Sequence, residues 1–369
     1  MRKTRLRPAA SQDPQVSQDP GPSRLSIRRK VAFGVFAALL FFVCVELLLR
    51  LAGFQIATSV EHMKFSFPLD DYNQSAPQRF LQPDDELFWK PIPGVLGHNL
   101  KGFYGPEFEI KKPVDTFRIV FLGDSCTHFG PISYPDILRD YLDKNAKGRF
   151  EVINAACIGY TSEQGRRLME NQVVKWSADL VVVYFGWNDH WLARGIADKD
   201  QKPRQESVAN WAAEHLRLVQ LMQLLLNQGS KKRSDLMRVS IEDYQKNLAA
   251  MSQQMASRGA SVWYITAPHA FDLGIPDYLH TSGEVAEPND LIPLHRQYNE
   301  VVRDVSRRQA APLLDLAAEI DQLKKDDLFI DDHIHLSQKG KLYLTKRLVD
   351  YLEERDIVTS QDDDAIETP

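Results

Sequence analysis

Phe117–Arg118–Ile119–Val120–Phe121–Leu122–Gly123–Asp124–Ser125 decides the fold class, because a short and almost wholly apolar run ends in a glycine, a turn former and a serine. A run of this length, rich in β-branched and aromatic residues, reads as a buried strand, and residues 134–147 behind it carry helical apolar spacing. The unit then recurs. Residues 150–154 predict a strand, 162–176 a helix, and 180–185 a third, almost wholly apolar strand. Strands alternating with helices at this spacing predict a parallel sheet covered on both faces, a three-layer α/β/α flavodoxin-like sandwich.

Downstream the regularity lapses, and residues 192–238 read as an insertion with an amphipathic helix near 206–227. The alternation resumes with a helix at 241–258, a strand at 261–266, a helix at 291–308, a short strand at 312–316 and a closing helix at 337–355. The main domain therefore spans 116–356, and 357–369 reads as a disordered acidic tail. Between 55 and 115, aromatics mix with Pro and Gly without sustained periodicity, as expected of a membrane-proximal stem packed on the domain.

Val31 to Val45 is unbroken apolar sequence, and with its continuation to Phe54 it reaches bilayer-spanning length. Residues 31–54 are thus expected to be an uncleaved transmembrane helix, a cleaved signal peptide being the competing reading. Arg28, Arg29 and Lys30 precede it, which by the positive-inside rule keeps 1–30, a basic disordered tail, in the cytoplasm and puts the rest outside the cytoplasmic membrane. The net charge of −5 hides this polarity: eight Lys or Arg against two Asp lie within 1–30, which leaves the folded part acidic and argues against a nucleic-acid partner. Three cysteines are too few for a disulfide framework, although Cys126 and Cys157 follow neighbouring strands and their pairing stays open.

The chemistry gathers at strand ends, where open parallel sheets place ligands. Ser125 ends the first strand and is a nucleophile candidate, although Gly-Asp-Ser alone is also an ordinary turn. Gly186–Trp187–Asn188–Asp189 ends the third, where the Asn188 amide could donate to a developing oxyanion, and Gly159, in the loop after the second, offers an unobstructed backbone N–H. Asp332 and His335 stand three residues apart just before the last helix. They supply the base, and the carboxylate that orients it, which a serine needs to become nucleophilic.

Gly123–Asp124–Ser125, Gly159, Gly186–Trp187–Asn188–Asp189 and Asp332–x–x–His335 together resemble the four ordered blocks of the SGNH/GDSL hydrolase superfamily, over about residues 116–356. The resemblance implies a carboxylic ester hydrolase in which Ser125 is the nucleophile, His335 the base and Asp332 its orienter. Ser125, Gly159 and Asn188 would then form the oxyanion hole. It selects His335 over the neighbouring His333, and Gly123–Asp124–Ser125–Cys126–Thr127 lacks the second glycine of the α/β-hydrolase elbow. Asp124, Trp187 and His190 are expected near a substrate pocket; His128 and His269 have no assigned role.

The implied reaction needs no metal or organic cofactor, and its partner is an ester substrate, possibly the acylated glycan of a cell envelope. The same residues would serve an O-acyltransferase that hands the acyl group to a sugar. Two further alternatives are a non-catalytic envelope binding protein and a metal-dependent phosphoesterase built on Asp331, Asp332, His333 and His335.

Overall fold

The computed structural model describes residues 26–54, 80–128, 132–193, 196–201, 208–227, 236–281 and 284–359. The expected tail before residue 26, the first part of the stem (55–79) and the acidic end beyond 359 lie outside the described residues. Helix α1 (Ile27–Leu51) is capped by Ser26 and is long and apolar enough to cross a membrane. Its length and composition suit either an anchor or a signal sequence.

A hairpin, β1 (Leu81–Asp84) and β2 (Phe88–Pro91), then leads into the domain. Strand β3 (Thr116–Gly123) is followed by the one-turn helix α2 (Ser125–His128), α3 (Tyr134–Asn145), β4 (Arg149–Asn154), α4 (Ser162–Asn171) and β5 (Leu180–Tyr184). The insertion supplies α5 (Val208–His215) and α6 (Arg217–Asn227). After it come α7 (Ile241–Ala256), β6 (Ser261–Ile265), α8 (Asp277–Thr281), α9 (Leu291–Gln309), β7 (Leu313–Leu314), α10 (Leu316–Ile320) and α11 (Gln338–Glu353).

Strands β3 to β7 form one parallel sheet in the order β4-β3-β5-β6-β7, the flavodoxin-like order with its switch point at β3. Successive side chains point to opposite faces, so each strand feeds two cores. Val120, Leu122, Val181 and Val183 meet α4, α7 and α9, with Leu168, Leu248 and Val302 among their contacts. Ile119, Phe121, Leu180 and Val182 meet α3 and α11 through Leu138, Leu142, Leu344 and Leu348. The three-layer α/β/α sandwich expected from the alternation is the fold.

Local readings shift where tertiary contacts intervene. The helix expected at 206–227 is two, broken at Leu216, and the strand expected at 312–316 shortens because Asp315 caps α10 through Ala318 N. The hairpin was not expected, as its short strands lack alternation. It packs Leu81, Leu87, Phe88 and Trp89 into the first core. Farther along, the fully buried Arg118 donates to the carbonyls of Glu109, Ile110 and Trp176 and pairs with Glu151 at 2.5 Å, fastening residues 109 and 110 to β3. Packing runs past 356, since Val358 is buried and Thr359 O accepts from Lys147 N.

Gly340, in the first turn of α11, is forced to be small: a Cβ there would lie 2.2 Å from the Leu328 carbonyl oxygen. Gly340→Ala must displace backbone, an overpacking cost of about 1–3 kcal/mol. At roughly 2–4 °C per kcal/mol for a domain of this size, thermal unfolding should occur several degrees lower; an unchanged Tm would contradict this close approach.

Candidate active site

Gly123 ends β3 where a Cβ would meet Thr127 Oγ1 at 2.2 Å and the Tyr184 carbonyl at 2.8 Å, so only glycine lets β3, β5 and α2 approach this closely. Asp124 starts the turn: its Oδ1 accepts from Cys126 N (2.8 Å), and its carbonyl accepts from Thr127 and His128 N. Ser125 is thereby left partly exposed at the first position of α2.

The loop before α11 brings its partners. Asp332 Oδ1 accepts from Ile334 N (3.0 Å) and His335 N (2.9 Å), while Oδ2 lies 2.5 Å from His335 Nδ1. A carboxylate at Nδ1 fixes the proton there, so Nε2 is the acceptor and takes the Ser125 hydroxyl at 2.7 Å. Burial pushes Asp332 up, but the His335 ring and the two backbone N–H groups outweigh it and hold its carboxyl below the usual range. This chain can draw a proton from Ser125 Oγ to His335 while Asp332 stabilises the resulting imidazolium.

His333 points elsewhere, with Nδ1 donating to Gly274 O at 2.6 Å. Among the described residues, no group of three or more His, Cys, Asp or Glu has metal-holding geometry. All three cysteines are free, and Cys126 and Cys157 are buried thiols whose pKa burial raises.

Asn188 ties the site together: its Nδ2 donates to Asp124 Oδ2 (3.3 Å) and to Tyr160 O (3.2 Å). Gly159 sits in the intervening loop at φ 77, a left-handed conformation that favours glycine. Three consecutive carbonyls of this loop are held from three directions. Trp89 Nε1 of the hairpin donates to Ile158 O (2.9 Å), Arg238 Nη1 to Gly159 O (2.9 Å), and Asn188 to Tyr160 O. Arg238 is fully buried with Asp198, their atoms 2.9 Å apart, and Thr161 Oγ1 also donates to Asp198 (2.9 Å). Trp89, Asp198 and Arg238 escaped the sequence reading because no local spacing links them to the loop: 69 and 79 residues separate Trp89 from Ile158 and Arg238 from Gly159.

Asp124, Trp187 and His190 are buried, at 1%, 2% and 1% exposure, in the interior behind the serine. Trp187 stacks on His295 (3.8 Å between centroids). His295 Nε2 donates to Ala267 O (2.7 Å), so its Nδ1 accepts from His190 Nε2 at 3.0 Å. Burial pushes His190 down to about 3 and His128 to about 4, so both are neutral near pH 7. His128 Nδ1 donates to Ala156 O (3.0 Å), and His269 Nδ1 accepts from Phe271 N (3.2 Å).

The GDSL-like lipase/acylhydrolase family model matches residues 121–341, and the chain belongs to that family. It is accordingly an ester-hydrolysing enzyme of the SGNH type. No curated protein sequence matches it. Among solved structures, a lipase/acylhydrolase from Enterococcus faecalis is similar at 20% identity, with 67% of this chain and 99% of the other covered and a TM-score of 0.45. An acetyl xylan esterase from Geobacillus stearothermophilus matches at 16%, covering 69% and 100% with a TM-score of 0.42. A GDSL-like lipase from Bacteroides thetaiotaomicron matches at 13%, covering 64% and 88%, also at 0.42.

Two buried carboxyls, Asp124 and Asp189, strain the fold at high pH. Burial lifts Asp124 to about 6 against the Cys126 N–H, the nearby His335 ring and the Asn188 amide. It lifts Asp189 to about 7 despite the Ser162 hydrogen bonds and Arg238, and Asp189 Oδ2 has no partner among the described residues. A raised carboxyl binds its proton more tightly folded than unfolded, so stability falls as pH climbs from about 4 to 7 and levels off above. Asp189→Asn removes the Asp189 share of this slope while leaving an acceptor for Ser162 N. The difference in Tm, variant minus native, should grow between pH 5 and 8; a pH-independent difference would contradict the assignment.

Proposed function

We propose that the protein is a membrane-anchored extracytoplasmic serine esterase in which Ser125 is the nucleophile, His335 the general base and Asp332 the residue that orients it. The observation that carries this reading is the continuous chain from Asp332 Oδ2 through the His335 ring to Ser125 Oγ, at 2.5 and 2.7 Å. As Ser125 Oγ attacks the ester carbonyl, its proton passes to His335 Nε2 and negative charge develops on the carbonyl oxygen. The Ser125 and Gly159 N–H groups and the Asn188 amide would receive that charge, for which Asn188 must turn one hydrogen away from Asp124 or Tyr160. His335 returns the proton to the departing alcohol, and water repeats the sequence to free the acid.

The anchor reading rests on α1 together with Arg28, Arg29 and Lys30 in its first turn, ahead of the apolar stretch, which orient the catalytic domain outward. From that placement we assign the substrate class as O-acetyl esters of a cell-envelope glycan, with a sugar hydroxyl as the competing acceptor. The test is acetate release from acetylated envelope polysaccharide by the native chain and by His335→Ala. Native release reduced at least 10³-fold in the variant is expected, since the residual rate should come from binding and the oxyanion donors alone. Loss of polymer acetate to an added sugar without free acetate would identify transfer instead. Release unaffected by His335→Ala would overturn the assigned roles.

A further inference from the structure

The insertion does more than deliver Asp198 and Arg238 to the active site. Its two helices, α5 and α6, meet at an elbow that is locked onto the outer end of α1. The Glu46 carboxylate accepts from Arg217 N (3.0 Å) and Leu218 N (2.9 Å), the first free N–H groups of α6. Arg50 completes the joint, its Nε donating to Glu46 (2.8 Å) and its Nη2 to His215 O (2.6 Å), the last carbonyl of α5. Glu46 is the sole acidic residue of α1, and the elbow supplies the partners that offset its cost at the edge of an apolar span. Val45 and Leu49 on the same face of α1 are half-buried.

Past this joint the elbow turns apolar side chains outward. Trp211 (54% exposed), Met222, Leu225 (60%) and Leu226 (75%) are uncovered, as are Leu47, Leu48 and Leu51 of α1 beside them. Arg217 is the only charged residue of α6. An exposed apolar surface continuous with a membrane-crossing helix has one natural solvent, and eleven residues rise only about 16 Å, too little to span a bilayer. We propose that α5 and α6 form a second, monotopic membrane element, with the face bearing Trp211, Met222, Leu225 and Leu226 sunk among lipid acyl chains beside α1 and Trp211 at the headgroup boundary. The two ends of the insertion are rooted next to Asn188 by Val239 N to Asp189 O (2.9 Å), Arg238 N to Trp191 O (2.8 Å) and Ala193 N to Leu236 O (2.7 Å). Lipid binding at the elbow holds the catalytic edge of the sheet at the membrane surface.

The proposal rests on the reading of α1 as a retained anchor, and Cys44 within α1 separates the two. The full chain is reconstituted in phosphatidylcholine–phosphatidylglycerol vesicles with a nitrobenzoxadiazole probe on Cys44, or on Leu225→Cys in a Cys44→Ala background, Cys126 and Cys157 being buried. Both probes should be quenched by lipids carrying acyl-chain nitroxides and protected from aqueous iodide. If Cys44 is lipid-quenched while position 225 is quenched by iodide, the anchor stands and the elbow lies in water, which overturns the proposal. Protection of position 225 from both quenchers overturns it in favour of a protein cover such as a second copy. Iodide quenching of Cys44 itself removes the anchor reading, and the proposal falls with it.

Discussion

The parallel pairing of β3 with a neighbour on each side is the constraint on which the rest depends. Phe121 is in register with Asn154 of β4, and Gly123 with Tyr184 of β5, so the three strands end within two residues of one another. The segments leaving those ends carry Ser125, Gly159 and Asn188 respectively, and Asn188 binds both of the others' segments. A one-residue slip of β3 would move its side chains to the wrong core and carry Ser125 away from His335. The absence of a side chain at Gly123 permits the close contact with Tyr184 and Thr127 that this register requires.

Around that centre, two parts of the chain with no catalytic block of their own stiffen the loop bearing Gly159. The hairpin reaches it through Trp89, with Tyr160 Oη donating back to Trp89 O at 2.8 Å, and the insertion reaches it through Arg238. Removing Arg238 would leave Asp198 as a buried charge without its cation, a loss of about 3–5 kcal/mol where it has been measured in other proteins. Such rigidity suits the proposed oxyanion role of this loop, because donors that are already aimed need no reorganisation as charge develops. The histidines behind the site, His128, His190 and His295, are held neutral by burial, while His335 is the histidine whose Nε2 lies within hydrogen-bonding distance of Ser125 Oγ among the described residues.

The sheet was legible because parallel strands buried on both faces leave apolar runs such as Leu180–Tyr184, which few other structures explain. The serine, histidine and aspartate were legible because each sits at a fixed offset from a strand end or helix start, and the structure brings them within hydrogen-bonding distance. What surrounds them was not. Asp124, Trp187 and His190 adjoin catalytic blocks in sequence, yet their side chains turn inward, since adjacency along a chain does not set side-chain direction. The break at Leu216 had no local signal either, because it answers to Glu46, some 170 residues away.

Activation of Ser125 by His335 is tested most directly by intact-mass analysis after treatment with a fluorophosphonate, which reacts with an activated serine and not with an ordinary hydroxyl. The native chain should gain one adduct, mapping to Ser125, while Ser125→Ala and His335→Ala should gain none. A folded native chain that remains unmodified, or an adduct that persists in Ser125→Ala, would contradict it.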